Sequence, residues 1–106
     1  MVVVPLELDL TIADGLREAL LDVLNAGALG LVVDMTQTTF CDSAGISAIT
    51  RAVRRAAAND ATVRLAVASP AVLRVLELVG IDRLIEVYPD VSAAVASLPE
   101  HARNVS

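Results

Sequence analysis

The residues of this chain whose types and spacing could carry chemistry are gathered in one run, Asp42-Ser43-Ala44-Gly45-Ile46. It follows Leu29-Gly30-Leu31-Val32-Val33, a short continuous apolar stretch of the kind shown by a strand buried on both faces, and a polar loop from Asp34 to Cys41. A helix is predicted to begin at Asp42 or Ser43. Its first backbone N–H groups lack an intrahelical partner and carry the positive end of the helix dipole, so an anion attached to Ser43 would be tolerated there without unfolding the chain. Ala44 and Gly45 are small enough to let a partner's active site approach the hydroxyl. Read locally, the same residues are also an ordinary helix start, in which Asp42 or Ser43 caps the free amides.

Other residues offer less. The single cysteine, Cys41, allows no internal disulfide. Its neighbour Asp42 tends to raise a thiol's pKa and no second cysteine can resolve a sulfenic acid, so Cys41 reads as an inert small hydrophobe. The single histidine, His101, lies in the C-terminal segment, which leaves no Ser/His/Asp or Cys/His set and no Cys/His metal cluster. A phosphate-binding glycine loop and a dinucleotide motif are both missing, so no catalytic residue, metal or cofactor is expected. Arg51, Arg54 and Arg55 read as the wet side of a helix, or as contacts for an acidic partner or a nucleotide phosphate. Ser47, one turn beyond Ser43, reads as a tolerated polar position.

The elements that must position this run follow from periodicity. Val2 to Leu8 reads as one strand near an edge, because Pro5 cannot donate to a ladder. Thr11 and Asp14 resemble a capping box, and Leu16, Leu20, Val23 and Leu24 give helix one, Thr11 to about Ala26, with Gly27 as a left-handed stop. The second helix points Ile46, Ile49, Val53 and Ala56 inward and ends at Asn59-Asp60. Thr62 to Ala68 is a strand, and Ser69-Pro70 starts a helix with apolar face Leu73, Leu76 and Val79 and stop Gly80. Ile81 to Val87 reads as the last strand, Pro89 to Leu98 as a closing helix, and Pro99 to Ser106 as an unpatterned, flexible tail. The expected architecture is a single α/β domain over residues 1–98, β-α-β-α-β-α-β-α, with a four-stranded sheet largely parallel after the first strand.

Composition agrees with that class. The 106 residues are 56% hydrophobic, with one Phe, one Tyr and no Trp, so one core must be built from small aliphatic side chains. No apolar run approaches the roughly 20 residues needed to cross a bilayer. The N-terminus lacks a basic region and reaches Pro5, Glu7 and Asp9 too early for a signal peptide, so a cytoplasmic protein is expected. The net charge is −5, and the eight basic residues are all arginine. The first 42 residues hold seven acids against Arg17 alone. That balance and the scarcity of aromatics argue against nucleic acid as a partner and for one that brings positive charge to the first third of the chain.

Taken with Glu7-Leu8-Asp9, with Ser69-Pro70-Ala71-Val72 and with Gly80-Ile81 and Leu84, the run Asp34…Phe40…Asp42-Ser43-Ala44-Gly45-Ile46 resembles a STAS domain over roughly residues 2–98. More narrowly it resembles the stand-alone anti-sigma factor antagonists of bacteria. The resemblance implies that Ser43 is phosphorylated by a partner anti-sigma factor, a GHKL-type serine kinase that uses ATP and Mg²⁺. It implies partner-binding roles for Asp9, Asp42, Ser43, Ala44 and Gly45. The unphosphorylated form would capture the anti-sigma factor and free a sigma factor; phosphorylation would release it, and a serine phosphatase would reset the switch. The protein would then be a substrate and a binding switch, and no enzyme itself.

The chain departs from the family pattern at two places. It begins almost at the Glu-Leu-Asp element, with Pro5-Leu6 where a glycine is usual, so the family's first strand is expected to be missing; an exposed edge would then invite a homodimer. Ala44 follows Ser43, which leaves one hydroxyl as the acceptor. Two further readings keep the fold: an accessory subunit of a membrane or lipid transporter that does not itself insert into the bilayer, and a small-ligand or nucleotide-binding module.

Overall fold

The computed structural model describes residues 2–3, 7–8 and 10–102, without the side chains of residues 7, 8, 10 and 11. Among the described residues six strands and four helices follow one another: β1 Val2–Val3, β2 Glu7–Leu8, α1 Leu10–Asn25, β3 Gly30–Met35, β4 Phe40–Cys41, α2 Ser43–Ala58, β5 Thr62–Val67, α3 Pro70–Val79, β6 Glu86–Tyr88 and α4 Val91–Ser97. Short 3₁₀ turns occupy Ile81–Arg83 and Glu100–Ala102.

The main sheet has the order β1-β3-β5-β6, and every pair in it is parallel, including the first. Strand addition always moves in one direction, and right-handed crossovers therefore place α1, α2 and α3 on the same face. Beneath them Leu31, Val33, Met35, Val63, Leu65 and Val67 meet Leu16, Leu20, Leu24, Ile49, Val72 and Leu76 in one core. The opposite face is covered by α4 and the turn after it, through Ala94, Leu98 and Ala102 against Val32 and Ala66. β3 is buried on both faces, which its continuous apolar run anticipates. The described edge strands are two residues at β1 and three at β6.

Several elements differ from the sequence reading, each for a physical reason. The single strand expected over Val2 to Leu8 is two strands with different partners: β1 pairs with β3, whereas β2 pairs with β4 in a separate two-stranded sheet. Part of the polar loop is thus β4. Ile81 to Arg83 form a 3₁₀ turn where a strand was expected, because Ile81 and Ile85 enter the core four residues apart and the Ile85 amide donates to the Ile81 carbonyl at 3.1 Å. In α3 the buried residues are Val72 and Leu76, while Leu73 and Val79 are exposed; a helix apolar nearly all round leaves its phase to the sheet. α4 begins after Asp90, which caps it by accepting from the Ala93 amide at 2.7 Å. Ala102 is fully buried within the segment read as a flexible tail. The capping box at Thr11 falls on a side chain outside the described residues.

The glycine stops are where the sequence placed them. Gly27 and Gly80 take positive φ, 98° and 80°. Asp60 takes φ 55° past the end of α2, where the Ala61 amide reaches back to the Ala56 carbonyl at 2.8 Å. The Asn59 side chain donates to the Leu24 carbonyl at 3.2 Å, tying the end of α2 to the end of α1.

Candidate functional site

The chain reaches the candidate site through a bonded turn. At the end of β3, Asp34 accepts from the Thr36 amide at 3.0 Å and from the Thr36 hydroxyl at 2.6 Å. The Thr38 amide donates to the Met35 carbonyl at 3.0 Å, with Thr38 fully buried. This Asx-type turn redirects the chain into β4, whose register places Leu8 opposite Cys41. The element Glu7-Leu8 is thereby brought beside the start of α2. Asp9, the next residue in the chain, lies outside the described residues.

Strand alternation points Phe40 outward, 51% exposed, and Cys41 inward. Cys41 is buried, and burial pushes its thiol up to about 11, with the Asp42 carboxylate adding to the effect. Its Sγ donates to the Asp42 carbonyl at 3.7 Å. At neutral pH the thiolate is therefore scarce, and the native protein is expected to resist thiol reagents that label the urea-unfolded chain readily. The folded state keeps a proton that the unfolded chain releases from about pH 8.5 upward, so this stabilising contribution is complete below that pH and is lost as pH rises toward about 11. Labelling rates with Ellman's reagent across pH 7 to about 11 check both statements; native and unfolded rates that coincide at neutral pH would contradict them.

Asp42 is the N-cap of α2. Its Oδ1 accepts from the Ala44 amide at 3.0 Å and from the Gly45 amide at 3.2 Å, and its carbonyl accepts from Ile46 at 3.1 Å. Two of the amides that sequence reasoning left open to an anion are thus already occupied. Ser43 is the first residue of the helix and is exposed, and its hydroxyl makes no hydrogen bond among the described residues. Ala44 is half-buried. Gly45 is buried. Substituting Asp42 by Ala is expected to cost about 1 kcal/mol of stability, with Asn recovering most of it, in urea unfolding; an unchanged midpoint for the Ala variant would contradict the capping role.

The acidity of the first third is only partly directed at this site. Asp14 pairs with Arg17 at 3.6 Å, Asp34 is spent on its turn, and Asp42 is the carboxylate bonded at the helix start. In the sequence Phe40 stands out only as part of a motif. Its exposure beside the helix start marks it as a contact candidate, and the available signal was that it is the chain's one phenylalanine. Among the described residues no group of three His, Cys, Asp or Glu side chains could hold a metal ion, and no helix is long and apolar enough to cross a membrane.

Comparison with known proteins gives a consistent placement. The structure is similar to the crystal structure of an anti-sigma factor antagonist from Mycobacterium paratuberculosis, with a TM-score of 0.82 and 23% identity over 90% of this chain and 80% of that one. It is also similar to a crystal structure from Thermotoga maritima assigned as an anti-sigma factor antagonist, with a TM-score of 0.81 and 22% identity over 89% of this chain and 83% of that one. At such identities the likeness speaks for the fold. No curated protein matches the sequence. The family model described as STAS domain matches residues 1–94, nearly the whole chain and all the elements that set out Asp42 and Ser43. On that match, and with the fold in agreement, the chain belongs to the STAS domain family.

Proposed function

We propose that this protein is an anti-sigma factor antagonist switched by phosphorylation of Ser43. The unphosphorylated form binds an anti-sigma factor, a GHKL-type serine kinase, and so releases a sigma factor; the phosphorylated form lets go, and a serine phosphatase restores it. The observation that carries this reading is the state of Ser43: exposed at the first position of α2 with its hydroxyl unbonded among the described residues, while Asp42, Ala44 and Gly45 around it are engaged in the cap. A hydroxyl that served only to cap the helix would be bonded to it. Family membership and neighbours described as anti-sigma factor antagonists favour the same reading. Asp42 would hold the acceptor in place, and Phe40 would supply apolar contact area beside it.

Phosphorylation adds about −1.5 to −2 charges next to the Asp42 carboxylate. Because that carboxylate already takes two amides, the phosphate gains little inside the domain and acts mainly outward, on the docked partner. The direct test is incubation with each GHKL-type kinase encoded in the same genome, with ATP and Mg²⁺, followed by mass spectrometry. One phosphate on Ser43, absent from Ser43→Ala, is expected. No modification by any of them, together with co-purification with a transporter subunit, would support the accessory-subunit reading instead.

A further inference from the structure

We infer that the groove between α1 and α2 is a docking site for an acidic helical segment of the protein that reads Ser43; the identity of that partner rests on the function proposed above. The two helices run side by side in the same direction, and the groove between their later turns, about 460 Å³, is lined by Leu21, Arg51, Arg54, Arg55 and Ala58. It continues through Arg51 into a pocket of about 190 Å³ between their first turns, where Arg17 and Ser47 lie.

Arg51, Arg54 and Arg55 are exposed, and none is ion-paired among the described residues, although acids outnumber bases in the chain. Asp14 on α1 is taken by Arg17. Three guanidinium groups at i, i+3 and i+4 match carboxylates at the same spacing on an opposing helix, with Leu21 and Ala58 offering an apolar floor. Ser43, Ser47 and Arg54 fall on a stripe about 40° wide on α2, and Arg54 lies about 16 Å along the axis from Ser43. One partner can therefore cover both.

Two measurements separate the groove from the function. In the first, the ¹⁵N-labelled protein is titrated with a helical peptide carrying Glu at i, i+3 and i+4, and with the same peptide carrying Gln. Amide shifts gathered at Leu21, Ser47 and residues 51–58, seen only with the Glu peptide and lost in R51Q/R54Q/R55Q, are expected. Scattered shifts, none at all, or equal shifts with the Gln peptide overturn the site. In the second, affinity for the anti-sigma factor from the same genome is measured at low and high salt. The triple variant is expected to bind about tenfold more weakly at low salt and to lose most of its salt dependence. Unchanged affinity overturns the placement of the partner in the groove while leaving Ser43 as the switch. A wild-type protein that binds no anti-sigma factor overturns the proposed function, and with it the identity of the partner, while the peptide result still decides the groove.

Discussion

Replacing Ser43 with Asp is expected to weaken capture of the proposed partner, an anti-sigma factor, by about one hundredfold, about 2.7 kcal/mol, because a like charge brought into a docked interface costs on that order. The local geometry explains why the cost is not absorbed internally. An anion at a helix start is ordinarily stabilised by free amides, but Ala44 and Gly45 already donate to Asp42. A second carboxylate one residue on therefore finds little internal compensation and faces the partner. Since Ser43 is exposed and its hydroxyl is unbonded among the described residues, the substitution should leave the melting temperature nearly unchanged. Ser43→Asn, close in size and uncharged, separates charge from bulk and should bind much more tightly than the Asp variant. Titration calorimetry on the three proteins at two ionic strengths measures this. Equal affinity of wild type and Asp variant would sink the switch.

The other large effect concerns the scaffold. Leu65→Ala is expected to cost about 3 kcal/mol, within the range for buried leucine truncation. Leu65 is fully buried in the centre of β5, in register with Val33 of β3 and Val87 of β6. The core is almost wholly Leu, Val, Ile and Ala, so each large aliphatic side chain supplies a large share of the apolar burial, and its neighbours on three parallel strands cannot close the void without disturbing the ladder. Against a typical total of about 5–15 kcal/mol this is a large fraction. The urea midpoint should fall by about 1–3 M for a slope of about 1–3 kcal/mol/M. Leu78→Ala, at a position 71% exposed, is the control and should change stability by less than about 0.5 kcal/mol. Similar midpoints for Leu65→Ala and wild type would contradict the place given to Leu65 in the core.

These two substitutions differ in how readily the sequence exposes them. Helices and their limits are written locally: Ser69-Pro70 opens α3, with the Ser69 hydroxyl accepting from the Val72 amide at 3.4 Å, and Gly27 and Gly80 supply the positive φ that other residues resist. The two-sided burial of β3 is equally local, because a parallel strand between two layers needs an unbroken apolar run. Short strands are not local. Glu7-Leu8 and Phe40-Cys41 carry no alternation long enough to read, and they become strands only because each finds the other across the fold. Ile81 looked like a strand residue by composition, yet its spacing to Ile85 suits a turn once both must reach the same core.

For the candidate site, residue types and order in the chain were sufficient to place Asp42 and Ser43 at a helix start and to indicate a small α/β domain. These are consequences of neighbours within a few positions, where capping chemistry and periodicity act. Only the tertiary structure decided which of the two residues caps and which stays free. It also decided that the two nearest amides are occupied and that Phe40 faces outward. Among the described residues the first-third acidity, conspicuous in the sequence, is paired at Asp14, spent on a turn at Asp34 or exposed on α1 at Glu18 and Asp22, with Asp42 left at the helix start, while three arginines from later in the chain line the groove beside it. Charge along a chain can be counted from its residues, but the field at a serine depends on distances that packing sets, and those exist only once α1 and α2 lie side by side.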